Sequence, residues 1–76
     1  MNAQRRKEIE AVLSELADLR SRVETLHGEE QDAFDSMPEG LQASERGQVS
    51  EAAASALDEA LSAFDDIESS LNEARA

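Results

Sequence analysis

The chain has 76 residues with 18 acidic against 7 basic side chains, a formal net charge of -11 at pH 7, no cysteine, one histidine and only two aromatics, Phe34 and Phe64. That balance excludes a disulfide scaffold and disfavours non-specific nucleic-acid binding, which rests on Lys and Arg neutralising phosphates; the same field repels anionic lipid and attracts basic surfaces. A chain this short buries only about 60% of the surface its unfolded form exposes, so one small core is the ceiling and self-association is the expected remedy.

Arg5-Arg6-Lys7 leads into a polar amphipathic stretch with no apolar h-region behind it, and no run approaches the length of a membrane span. The expectation is a soluble, intracellular protein. From Ile9 the apolar residues fall at Ile9, Val12, Leu16, Leu19, Val23 and Leu26. This 3-4 spacing places them at a and d of successive heptads and predicts a coiled-coil seam. Leu13 widens the stripe at an e position, enough for two neighbours. The register continues through Ala33 and Met37 across Gly28, whose cost of about 1 kcal/mol inside a helix is tolerable. The first helix is therefore expected over about residues 4–35.

Pro38 ends it, because proline lacks the amide and disfavours helical geometry at the residue before it. Ser36 or Met37 is expected to open one short turn with Pro38 at its first position and Gly40 letting the chain reverse, while Met37 and Leu41 fold back over the helix ends. Ser44 is a candidate N-cap, with Glu45 well placed in the first turn that follows. The second helix is expected over about residues 45–74, with Leu57, Phe64 and Leu71 at a and Ala53, Ala60, Ile67 and Ala74 at d. Leu61, Ala54, Ala56 and Ala63 flank that seam and make an Ala-rich face open to a close partner helix. A short connection forces the two helices antiparallel. The expected fold is all-α, one helical-hairpin domain over residues 1–76 that dimerises into a four-helix bundle.

Candidate chemistry is sparse. Glu24-Thr25-Leu26-His27 has the Glu-x-x-His spacing of carboxylate-bridged metal sites in helical bundles, but with Leu26 at d, Glu24 and His27 point away from the bundle axis. The bland expectation is a half-exposed His27 bonded to Glu24 or Gln31, with no metal and no cofactor. A calcium loop counted from Asp35 fails at its third position, Met37, and at its twelfth, Arg46. With one histidine, none of Ser14, Ser21, Ser50, Ser55 and Ser62 has the partners of a catalytic triad, and the expectation is a non-enzyme. What stands out is the turn: Glu29, Glu30, Asp32 and Asp35, continued by Glu39 and Glu45, crowd around Met37 at one end of the hairpin, opposite Arg5, Arg6 and Lys7 at the other. Glu29, Glu30, Asp32, Asp35, Met37 and Glu39 are the candidate partner-binding residues, either a solvated surface or an edge that docks on a basic one.

The stretch from Glu29 to Gly47, with its Asp35-Ser36-Met37-Pro38-Glu39-Gly40-Leu41-Gln42-Ala43-Ser44 element, and the acidic Ala/Leu helix after it resemble small hypothetical proteins encoded by bacteriophages and prophages. The resemblance spans roughly residues 29–75. It implies a phage accessory protein in the cytoplasm of an infected or lysogenic bacterial host, a class in which small acidic proteins block host defence or regulatory factors. It supplies no site. Three functions stay open: an oligomer that binds and inhibits a host protein with a basic surface, a structural coiled-coil adaptor, and an oligomer that holds a small signalling molecule or a metal between subunits. None of the three requires direct contact with nucleic acid or membrane.

Overall fold

Three helices and no strand make up the chain in the computed structural model, which describes residues 1–76: α1 (Ala3–Asp35), α2 (Glu39–Gln42) and α3 (Glu45–Arg75). Each boundary has a chemical cause. The Asn2 side chain accepts the Arg5 amide at 2.8 Å, satisfying one of the unpaired donors that every helix N-terminus leaves. Ser36 closes α1 by donating its amide to the Asp32 carbonyl at 2.9 Å. Ser44 caps α3 by accepting the Gly47 amide at 3.4 Å. The two long helices therefore begin and end within a residue of their expected positions, and α1 runs through Gly28 unbroken.

α1 and α3 pack antiparallel along their length, as expected, in a ribbon of 58 × 15 × 12 Å. No helix is long and apolar enough to cross a membrane. The interior is minimal. Three of 76 residues are buried, and Ala54 is the one apolar member; the other two are Gly47 and Ser50.

The register within the hairpin differs from the expected seam. On α1 the residues turned toward α3 are Ile9, Leu13, Leu16, Arg20, Val23, His27, Glu30 and Phe34, an unbroken 4-3 alternation that Met37 continues just past the helix end, and all are half-buried. On α3 the matching row is Gly47, Ser50, Ala54, Leu57, Leu61, Phe64 and Leu71. Ile9, Leu16, Val23, Leu57, Phe64 and Leu71 face inward as expected. Val12, Leu19, Leu26 and Ile67 do not, remaining 48%, 46%, 52% and 49% exposed. Leu13 and Leu61, expected only to flank the seam, take part in it. The reason lies at the turn, where the smallest residues of α3 must face inward if the chain is to reverse tightly, Gly47 toward α2 and Ser50 and Ala54 toward α1. That demand rotates both helices toward their i+4 rows and seats Arg20, His27 and Glu30 in the contact.

Candidate functional site

The turn is built by hydrogen bonds that leave little freedom. Pro38 stands at the cap of α2 in extended geometry (φ -56, ψ 148) and not at its first residue as expected. Its carbonyl accepts the amides of Leu41 at 2.8 Å and Gln42 at 3.1 Å. The Gln42 side chain reaches back to the Phe34 carbonyl at 3.0 Å, which also accepts the Met37 amide at 3.1 Å, so the loop is tied to the end of α1 twice. Gly47 lies directly beneath this loop: a Cβ there would overlap the carbonyl oxygens of Leu41 and Gln42 and fall 2.6 Å from the Gln42 carbonyl carbon. Glycine is required by this close approach, since the position is helical and its φ is not positive. Gly28 and Gly40 have open space where a Cβ would point.

The candidate binding residues divide between anchor and surface. Glu30 belongs to the anchor: Ser50, 6% exposed, donates its hydroxyl to Glu30 Oε1 at 2.6 Å. Met37 is half-buried and, with Ala33, Arg46, Val49 and Ser50, lines a shallow groove between α1 and α3. Leu41, expected to cover the helix ends beside Met37, is 43% exposed. Glu29, Asp32, Asp35 and Glu39 are exposed, and Asp35 accepts the Gln31 amide at 3.1 Å. Of the acidic residues around the turn, Glu29, Asp32, Asp35 and Glu39 are thus the ones open to solvent, while Glu30 is tied to Ser50.

Charge placement on α1 runs against its own dipole. A helix favours acids in its first turn and bases in its last, each by about 0.3–1 kcal/mol. α1 has no acid in its first turn and no base in its last; it carries Arg5 and Arg6 at the first and Asp32 and Asp35 at the other. The neighbouring N-terminus of α3 offsets part of this at the turn. α3 has the favourable pattern, with Glu45 in its first turn and Arg75 in its last. Helix stability therefore gives no account of why acids crowd the turn end of α1.

The Glu24 and His27 pair is not assembled as expected. Glu24 accepts Arg20 Nη1 at 2.9 Å, while Gln31 is engaged by Asp35. His27 turns toward α3, bonded to neither. No three histidine or acidic side chains converge in a metal-binding geometry. Arg20 also donates Nε to Asp65 across the helix pair at 2.8 Å. That hydrogen bond and the Asp65 charge, with a smaller contribution from Glu24, hold its guanidinium above its ordinary pKa despite some desolvation, so Arg20 stays cationic throughout.

Sequence reasoning passed over Gly47 and Gln42, the residues that fix the turn. The available signal was a glycine in the first turn of a helix, where it weakens the helix and must have another use. Comparison with models of known protein families, with curated proteins and with solved structures finds no significant match.

Proposed function

We propose that this chain is a non-enzymatic, phage-type interaction protein that self-associates and uses its acidic turn end to bind and inhibit a host protein with a basic surface, such as a defence or nucleic-acid-binding factor. The observation that carries this reading is the exposed pair Asp32 and Asp35 in the last turn of α1, where helix electrostatics disfavours acids, with exposed Glu39 following them at the start of α2. The rigid turn beneath them supports it, since Gly47, Gln42 and Ser50 hold the presenting backbone in one geometry and little ordering is left for the moment of binding. The resemblance of the Met37-Pro38-Glu39 element to phage-encoded proteins supplies the host setting.

A structural adaptor is the second reading, favoured by the apolar residues left exposed along the ribbon. Salt separates the two, because attraction between exposed charges is screened beyond about 8 Å at physiological ionic strength, whereas apolar docking is not. Affinity capture from host lysate with the wild type, and with Asp32→Lys, Asp35→Lys and Glu39→Lys combined, tests the first reading. The wild type is expected to retain a basic host protein that the triple variant loses at unchanged helicity. Equal capture by both proteins moves the binding site away from the turn.

A further inference from the structure

The ribbon has two unlike edges. In antiparallel helices, residues one position before each inward i+4 contact lie on the same side of both. On α1 these are Val12, Leu19, Leu26 and Ala33; on α3 they are Ala53, Ala60, Ile67 and Ala74, bordered by Val49, Ala56 and Ala63. Together they form one apolar face along the rod, with Val49 64% exposed and Leu26 52% exposed. The opposite edge is polar and holds the Arg20–Asp65, Arg20–Glu24 and Arg75–Glu10 pairs.

We propose that this face is the interface with a second copy of the same chain, stacked turn to tail about a two-fold axis that passes beside Leu19. The proposal rests on the self-association part of the functional reading and gives it a surface and an orientation.

Area is the first argument. The accessible surface is 5480 Å² for an 8.3 kDa chain, whereas a folded monomer of that mass exposes about 4600 Å². The excess, roughly 900 Å², is close to the share of about 800 Å² that each partner contributes to a standard stable interface.

Charge is the second argument, and it selects the orientation. The turn end, residues 27–51, holds seven acids against Arg46, whereas the open end, residues 1–10 and 68–76, balances Arg5, Arg6, Lys7 and Arg75 with Glu8, Glu10, Glu68 and Glu73. Turn on turn would superpose two strongly negative ends; turn on tail does not. Stacked antiparallel about Leu19, Val12 meets Leu26 of the second copy, Arg22 falls beside its Glu15, and Arg5 comes level with its Ala33, beside Asp32 and one turn from Glu29. Glu8 falls opposite Glu29 and offsets one of these pairings. The reversed charges of α1 are thereby matched between copies, Arg5 of each lying over the acidic end of the other.

Shape agrees. Leu19 lines a shallow depression together with Glu15, Asp18 and Arg22, a recess on the proposed axis.

The test uses sedimentation equilibrium on the full chain together with single-cysteine variants, which the cysteine-free sequence makes unambiguous. The wild type is expected to be a dimer, and Leu19→Glu to raise its dissociation constant at least about 30-fold while keeping a helical spectrum. Arg22→Glu should weaken the dimer and Arg22→Glu with Glu15→Arg should restore it. Leu19→Cys should oxidise to a 19–19 cross-link, and mixed Val12→Cys and Leu26→Cys chains should cross-link to each other but not to themselves. A wild type that stays monomeric at millimolar concentration overturns both the self-association reading and the interface, and leaves the face to a different partner. A dimer that ignores Leu19→Glu, or that gives no 19–19 cross-link, overturns the interface alone.

Discussion

The two ends of the ribbon are held together by different means. At the turn, Gly47, Ser50 and Ala54, the only buried residues, sit in the first three turns of α3, under a loop fixed by Gln42, Pro38 and Ser44. At the open end the helices meet through half-buried Ile9, Leu13 and Leu71 and a loose Arg75–Glu10 pair at 3.7 Å. Small residues permit close backbone approach and nearly complete exclusion of water. Large aliphatic residues on a two-helix rod cannot cover one another, so each keeps a face in solvent. The lesson is that this chain completes a core of its own only at the turn, and the rest of the rod keeps apolar surface in solvent.

Gly47→Val is the sharpest way to break that contrast. The new side chain meets backbone carbonyls that cannot swing aside, so a loss of about 3 kcal/mol and a fall in Tm on the order of 15 °C are expected by thermal denaturation; a fall under about 3 °C would mean that the turn yields easily. Ser50→Ala comes next. It removes the donor to Glu30 and leaves a half-buried carboxylate short of a partner, for about 1–2 kcal/mol in urea denaturation. Little or no loss would show that Glu30 finds water instead. Gly28→Ala has the smallest effect and the opposite sign. With nothing within 4 Å of the new methyl, α1 gains about 0.5–1 kcal/mol, and a destabilised variant would mean that something packs on Gly28 in the assembled state.

The same contrast governs how much was legible in the sequence. Pro38, Ser44 and the long periodic runs fixed the hairpin and its boundaries, because stop and cap signals act locally. The rotation of the helices was hidden. Hydrophobicity favours the row Val12, Leu19, Leu26 over Leu13, Arg20, His27, and only the demands of Gly47 and Ser50 across the turn reverse that choice. Among the candidate site residues, the exposure of Glu29, Asp32, Asp35 and Glu39 followed from their polarity. The anchoring of Glu30 did not, since its partner Ser50 is 20 residues away in sequence and no local pattern links them.

Concentrating the tight contacts at the turn also has a kinetic consequence. The Ser50–Glu30 bond closes a loop of 20 residues, while Arg20–Asp65 closes one of 45, and closure entropy grows with the length enclosed. Folding should therefore start at the loop beneath Pro38 and zip outward along the rod. Stopped-flow measurements are expected to show Ser50→Ala slowing refolding and Leu71→Ala chiefly speeding unfolding. In that order of events the acidic tip is in place before the open end has closed, so the surface proposed to meet a partner is also the first to become structured.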